Sequence, residues 1–323
     1  MAKAPSKEAA AAVVVAGAAA VGGKLAWDKL SGNGDDDPRA FCLHEGEAVP
    51  DGIRRIARAQ LDSSIERLDP GNDGSDLAKD VHETRKSLKR LRSCLRLSRP
   101  ALGDEIYRRE NIAFRDAGRK LAGARDARVL LEALDDLGER FGDELPAEAT
   151  ADLRNELARD EQRAEASLDS AVSDVLGELR AARERTAEWT FAEDGFDAVA
   201  PGLRRIYRRG RKRMGAAKGE RTDESLHEWR KRVKDLWYAS QILRPAAPKR
   251  MKLFAGRAHD LSDLLGDDHD LALLGERSGP DRLALTGAIA NRREQLQRGA
   301  FELGAELYEQ SPKKFVRNFG RGF

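Results

Sequence analysis

Val81-His82-Glu83-Thr84-Arg85-Lys86-Ser87-Leu88-Lys89-Arg90-Leu91 returns later in the chain as Leu226-His227-Glu228-Trp229-Arg230-Lys231-Arg232-Val233-Lys234-Asp235-Leu236. The pattern apolar, His, Glu, any, Arg, Lys, any, apolar, basic, any, Leu recurs at an offset of about 145 residues, and a proline follows each copy, Pro100 and Pro245. The apolar positions keep a helical spacing, and the faithful positions between them are His, Arg and Lys. Two similar scaffolds that each present cationic side chains to one partner are the economical reading.

A chain of 323 residues accommodates two ordinary domains or one duplicated domain, and the repeat favours duplication. Charged residues make up 35% and aromatics 6%, with Ala, Leu, Arg, Asp and Glu dominating. Strand-like alternation is nearly absent, so the expected fold is all-α. The net charge of +2 conceals a segregation of sign. From His82 to Arg99 the cations Arg85, Lys86, Lys89, Arg90, Arg92, Arg96 and Arg99 face a single acid, Glu83. Leu203 to Arg213 carries Arg204, Arg205, Arg208, Arg209, Arg211, Lys212 and Arg213 with no acid, whereas Glu132 to Glu178 is acid-rich. A surface of this kind can hold an anion on its basic part. Cys42 and Cys94 form no CxxC and no close pair, which fits a reducing compartment.

Working outward from the repeat, Ile53, Ile56, Ala57, Leu61, Ile65 and Leu68 form a helical stripe that stops at Pro70. A second helix is expected from about Ser75 to Ser98, ended by Pro100, and a third through Ile106, Ala113, Ala117 and Leu121 with a continuation over 125–136. One long charged helix is expected over 147–185. The order then restarts: Leu203 and Ile206 match Ile53 and Ile56, the His227 helix runs to about Leu243, and separate helices follow around Phe254–Leu265 and Asp270–Leu274. A last helix is expected over 281–310. Leu121-Ala122-Gly123-Ala124-Arg125-Asp126 corresponds to Leu265-Gly266-Asp267-Asp268-His269-Asp270, so the duplication covers several helices. The chain accordingly divides into an Ala-rich tail and linker (1–44), a first half (45–190), a second half (191–311) and a basic tail (312–323) expected to be mobile. Ala9 to Val21 is too short and too weakly apolar for a membrane-spanning helix, although it resembles a signal-peptide core, so membrane contact or export through 9–21 stands beside a plain Ala-rich tail.

At about 100° per residue, His82, Arg85, Lys89, Arg92 and Arg96 share an arc of roughly 80°. Val81, Leu88, Leu91 and Leu95 occupy the neighbouring arc, so the basic stripe borders the buried face and should line a groove between helices. His227, Arg230 and Lys234 repeat the arc beside Leu226 and Val233. Converging cations need acids or an anionic ligand, and phosphate suits guanidinium and ammonium groups well. A protonated histidine in the row donates from either nitrogen. The competing reading is a solvated basic face paired with acids of the 147–185 segment; two copies in matching phase favour binding.

The motif His82-x-x-Arg85-x-x-x-Lys89-Arg90-Leu91-Arg92 with Arg125-Asp126, and its second copy His227-x-x-Arg230-x-x-x-Lys234 with Leu265-Gly266 to Asp270, resemble the two halves of a CHAD domain, the conserved-histidine α-helical domain. The resemblance runs from about Glu45 to the end of the chain. It implies two four-helix-bundle-like halves with pseudo-twofold symmetry around a basic cavity. It also implies binding of inorganic polyphosphate without catalysis, in a cytoplasmic protein that can collect on polyphosphate granules. On that basis the candidate binding residues are His82, Arg85, Lys86, Lys89, Arg90, Arg92, Arg96, Arg204, Arg205, Arg208, His227, Arg230, Lys231 and Lys234. No cofactor or metal is implied. The second copy departs from the pattern at Asp235 and Trp237, where charge is lost. Many relatives carry a triphosphate-tunnel barrel with alternating Glu; here Glu45 and Glu47 are followed by Val49, and triphosphatase activity has no visible seat.

No Gly-rich phosphate loop, G-x-S-x-G elbow or H-E-x-x-H occurs. Asp267 to Asp270 point around a helix and read as a cap instead of a metal site. His44 and His259 are isolated, and Trp229, Trp237 and Tyr238 read as core. Two other functions keep a place: a nucleic-acid binder, because Arg-rich helices serve that use, and a metal-dependent phosphohydrolase using His82 and His227.

Overall fold

The computed structural model describes residues 41–320 apart from 73–75, 143, 146, 167, 247, 280 and 281. The Ala9–Val21 run and the 31–38 linker fall outside the described residues. The described residues form eleven α-helices and no strand: α1 (Val49–Leu68), α2 (Leu77–Leu102), α3 (Asp104–Lys120), α4 (Gly123–Arg140), α5 (Ala151–Glu165), α6 (Leu168–Arg185), α7 (Ala200–Glu220), α8 (Asp223–Ile242), α9 (Pro248–Ser278), α10 (Leu283–Leu307) and α11 (Pro312–Phe319). None is long and apolar enough to cross a membrane.

Local chemistry sets the ends of the two repeat helices. Asp76 caps α2 by accepting from the amides of Ala78 and Lys79 at 3.1 and 3.2 Å. Helix α2 passes through Pro100 and stops at Gly103, whose φ of 86° is open to glycine and strained for other residues. The stop therefore falls later than the proline suggests. Helix α8 starts on a reciprocal cap in which Thr222 and Ser225 satisfy each other's amides.

Helices α1, α2, α3 and α6 pack as one bundle, and α7, α8, α9 and α10 repeat the arrangement, with α11 laid on α7. Ile53, Ile56, Leu91, Leu95, Phe114 and Leu179 fill the first bundle; Leu203, Ile206, Trp229, Val233, Leu236 and Leu261 fill the second, and one continuous apolar core joins them. A smaller core forms where Leu134 and Leu137 of α4 and Leu153 and Leu157 of α5 meet Leu271 and Leu274 of α9 and Leu285 and Ile289 of α10.

Further sequence expectations change. The third helix does not continue over 125–136 but ends at Lys120, and α4 starts anew at Gly123. The long helix over 147–185 is two helices, α5 and α6, because its ends serve different cores: Leu153 and Leu157 the small one, Val175 and Leu179 the main one. The two helices expected around Phe254 and Asp270 are one, α9, whose Gly256, Gly266 and Gly275 keep negative φ. Asp267 to Asp270 are thus mid-helix, not a cap. Asp268 is buried and accepts from Arg293 Nε at 3.0 Å and Gln297 Nε2 at 2.8 Å. The segment expected to be a mobile basic tail contains α11, pinned by buried Phe315 and Phe319. Phe41 and Leu43, just before α1, are buried too, and the Leu43 amide donates to the Ile242 carbonyl at 2.9 Å.

The halves meet backbone to backbone. A Cβ on Gly202 of α7 would lie 1.7 Å from the Leu97 carbonyl oxygen of α2, so only glycine permits this crossing. Gly202→Ala should lower the stability of the folded chain by about 3 kcal/mol in urea unfolding, by overpacking a site with no room to give. Gly215→Ala, where a Cβ meets nothing within 4 Å, should raise it by up to about 1 kcal/mol.

Candidate anion-binding site

The α2–α7 crossing brings basic residues of both halves together. Ser93 Oγ of α2 donates to the Asp235 carbonyl of α8 at 3.0 Å, and Arg96 Nη1 donates to Asp235 Oδ1 at 2.9 Å. Arg232 Nη1 holds the other carboxylate oxygen at 3.0 Å. Asp235 is only 6% exposed, so this pairing is nearly dry. Arg92 stands beside it with Nε donating to Asn111 Oδ1 at 3.2 Å. Burial, and then the charge of Arg96, pushes the Arg92 guanidinium down to about 10. Burial, followed by Arg232 and Arg205, likewise lowers Arg209. Four guanidinium groups, Arg92, Arg96, Arg209 and Arg232, thus gather around one buried carboxylate, with Arg205 beside Arg209 and within reach of Asp104. Guanidinium groups outnumber the carboxylate they surround, so the cluster carries an unbalanced positive charge that an anion would relieve.

The stripe residues extend from this point along both helices. Counting 1.5 Å per residue, His82 lies about 21 Å along α2 from Arg96, and His227 about 12 Å along α8 from Asp235. His82, Arg85, Lys89, Arg92 and Arg96 are all half-buried, as expected of side chains at the margin of a packed face. Lys86 pairs with Glu83 at 2.8 Å, and Lys231 with Glu228, so the Glu of the repeat neutralises the adjacent Lys in each half. Arg85 Nη1 donates to the Ala122 carbonyl at 3.0 Å where α3 gives way to α4. Arg230 occupies the equivalent place, against Gly266, with Nη1 3.9 Å from Asp270 Oδ1. Arg90 Nη1 reaches Gln60 Oε1 at 3.4 Å and lies over the Phe41 ring. Acids of the 147–185 segment are engaged elsewhere: Asp160 with Arg163 and Arg277, Glu178 with Lys120.

Arg204, Arg205 and Arg208 do not act as a set. Arg205 belongs to the crossing, as its influence on Arg209 and Asp104 shows; Arg204 and Arg208 are exposed on another face of α7. Arg209 and Arg232 were not among the residues singled out from the sequence. Arg209 follows Arg205 by one helical turn, a usable signal. Arg232 sits about 140° from His227, outside the stripe's arc, and its signal is the i,i+3 spacing to Asp235.

In the second half the rings of His227 and His269 stack at 4.2 Å. His269 stands where the first half has Arg125. His227 Nδ1 and Arg230 Nε are buried and have no hydrogen-bond partner among the described residues. Burial, then His269, Lys231 and Arg230, holds His227 down at about 4; burial and Arg230 lower His269. Both imidazoles are neutral at pH 7. A cavity of about 450 Å³ at the α7–α8 turn is lined by Glu220, Glu224 and Glu228 against Arg213, the wrong sign for phosphate.

A family model for the CHAD domain matches residues 55–278. The chain belongs to the CHAD-domain family. Among solved structures it is similar to PptA from Streptomyces chartreusis, at 17% identity and a TM-score of 0.53, covering 81% of this chain and 99% of that one. It is also similar to the CHAD domain from the plant Ricinus communis, at 18% identity and a TM-score of 0.52, covering 90% and 98%. No curated relative matches. The family model ends with α9, while the 90% of this chain covered by the Ricinus communis domain extends past it.

His227 makes stability depend on pH. Its folded value lies below the unfolded one of 6.5, so the unfolded chain binds more protons as pH falls. Its contribution is complete above pH 6.5 and declines on the way down to about 4. Between pH 6.5 and 5, above the carboxylate range, His227→Gln should flatten the loss of stability measured by urea unfolding.

Proposed function

We propose that this CHAD domain binds inorganic polyphosphate without cleaving it. The observation that carries the reading is the group of four guanidiniums, Arg92, Arg96, Arg209 and Arg232, gathered at the α2–α7–α8 crossing around the buried carboxylate of Asp235, with Arg205 beside them. A linear phosphate chain matches it in charge and geometry, because each guanidinium can grip two oxygens and successive phosphates can meet successive cations. From the crossing the chain would run past Lys89 and Arg85 to His82 in one half, and past Lys234 and Arg230 to His227 in the other. A site set between helices would favour a flexible single chain over a stiff duplex. Asp235 is already held by Arg96 and Arg232, so the cluster's carboxylate is not available to ligate a cation or activate water. By the same contacts the protein would be retained on polyphosphate granules.

Arg205 and Arg209 carry no ion pair to an acid among the described residues, so Arg205→Ala with Arg209→Ala should leave stability nearly unchanged. The double variant should bind polyphosphate about tenfold more weakly, with the slope of log K against log salt smaller by about 1.4. Wild-type affinity and slope in the variant would move the site elsewhere. Displacement of polyphosphate by RNA or DNA at equal phosphate concentration would favour a nucleic-acid ligand.

Asp235→Asn should act with opposite signs on the two properties. Removing the carboxylate leaves Arg96 and Arg232 uncompensated and should cost about 3 kcal/mol of stability. The same change should tighten polyphosphate binding, measured by titration at low salt, because the anion then meets an undiminished cationic cluster.

A further inference from the structure

Helix α7 carries two basic faces, and only one belongs to the crossing. Measured from Tyr207, Arg211, Arg204 and Arg208 lie at about 40°, 60° and 100°, whereas Arg205 and Arg209 lie about 160° away on either side. Tyr207 is the residue that seats α11: its ring stacks on Phe315 at 3.9 Å, and its hydroxyl donates towards the carbonyls of Leu307 and Gln310 at 3.2 and 3.1 Å. Arg211 Nη1 donates to the same Gln310 carbonyl at 3.2 Å. Ser311 caps α11 through the Lys314 amide, and Phe254 packs against both Phe315 and Phe319. Helix α11 is therefore fixed beside the outer face of α7.

The outward side of α11 is wholly cationic. Lys313, Lys314 and Arg317 lie about 100° or more from buried Phe315 and are exposed. Helix α11 contains no acid, and α7 contains none before its last residue, Glu220. Arg204, Arg208, Lys313, Lys314 and Arg317 have no ion pair among the described residues. A rigid, exposed surface built of unpaired cations repels itself and is stabilised by a polyanion. Neither face exposes an aromatic ring to stack on bases or a large apolar side chain to enter a membrane; the exposed large apolar residues are Ile112, Leu253, Leu273 and Leu283. Charge is all that it offers.

We infer that the joined outer face of α7 and α11 is a second polyphosphate-binding surface, which takes up the part of a long chain that extends beyond the crossing. This rests on the polyphosphate reading proposed above. It assigns a role to residues beyond those the family model matches, and it predicts that affinity depends on chain length.

The test uses the full chain with Lys313→Ala, Lys314→Ala and Arg317→Ala combined, substitutions on an exposed face that leave Phe315 and Phe319 in place. Polyphosphate of two lengths is titrated over a salt series, one too short to reach past the crossing and one several times longer. The triple variant should bind the short oligomer like wild type and the long chain about tenfold more weakly, with its salt slope reduced by about 2. Unchanged affinity and slope for the long chain would overturn the second surface while leaving the crossing intact. Equal losses for both lengths would also overturn it, by making α11 part of the first site. Wild-type protein that binds neither length would remove the polyphosphate reading itself, and duplex DNA displacing only the long chain's extra affinity would assign the face to nucleic acid instead. Thermal unfolding of the variant at the wild-type temperature checks that α11 remains docked.

Discussion

Asp235 is the constraint on which the arrangement depends. Two helical bundles, each with a basic helix at its margin, could not bring those margins together against mutual repulsion unless something at the contact absorbed charge. Asp235 does so with both oxygens, one on Arg96 of the first half and one on Arg232 of the second. Its backbone carbonyl takes Ser93 as well. Gly202 then lets α7 lie directly on the Leu97 carbonyl, so the helices approach closely enough for Arg205 and Arg209 to join the cluster. The pairing is sufficient to hold the interface and insufficient to neutralise it, and the proposed anion binding rests on this imbalance.

The duplication has kept one plan and diverged in its details. In both halves the repeat's Glu pairs with the Lys three residues on, and its Arg reaches the same turn of the following segment, Ala122 in one case and Gly266 in the other. The differences fall where the halves need different partners. Arg90 of the first copy becomes Asp235 in the second, which supplies the acid at the interface. Arg125 becomes His269, which stacks on His227 and gives that half neutral imidazoles at pH 7. The two halves thus keep a histidine at the same repeat position, His82 and His227, and differ at the aligned position of Arg125 and His269.

The all-α class, the duplication and the half-buried phase of His82, Arg85, Lys89, Arg92 and Arg96 could be read from the sequence because each is a local, periodic property. What escaped depends on contacts between residues about 140 positions apart. Asp235 looked like a loss of charge, and its value as the clasp appears only once Arg96 is beside it. Arg232 sits off the stripe's arc, and only its i,i+3 spacing to Asp235 marks it. The 147–185 segment reads as one helix because its charged residues have uniform helix propensity; the break comes from two cores competing for its two ends. The α11 segment reads as a basic tail because three of its eight residues are cations, and the burial of Phe315 against Tyr207 is a tertiary fact.

The most direct test of the account is to follow the guanidinium Nε–H signals of assigned arginines by NMR while polyphosphate is added at low salt. The account predicts that Arg92, Arg96, Arg209 and Arg232, from helices of both halves, shift together and saturate at one ligand concentration, while Arg180 and Arg183 on α6 stay unmoved. Shifts confined to α6 or other remote surface arginines, with the crossing residues silent, would contradict it.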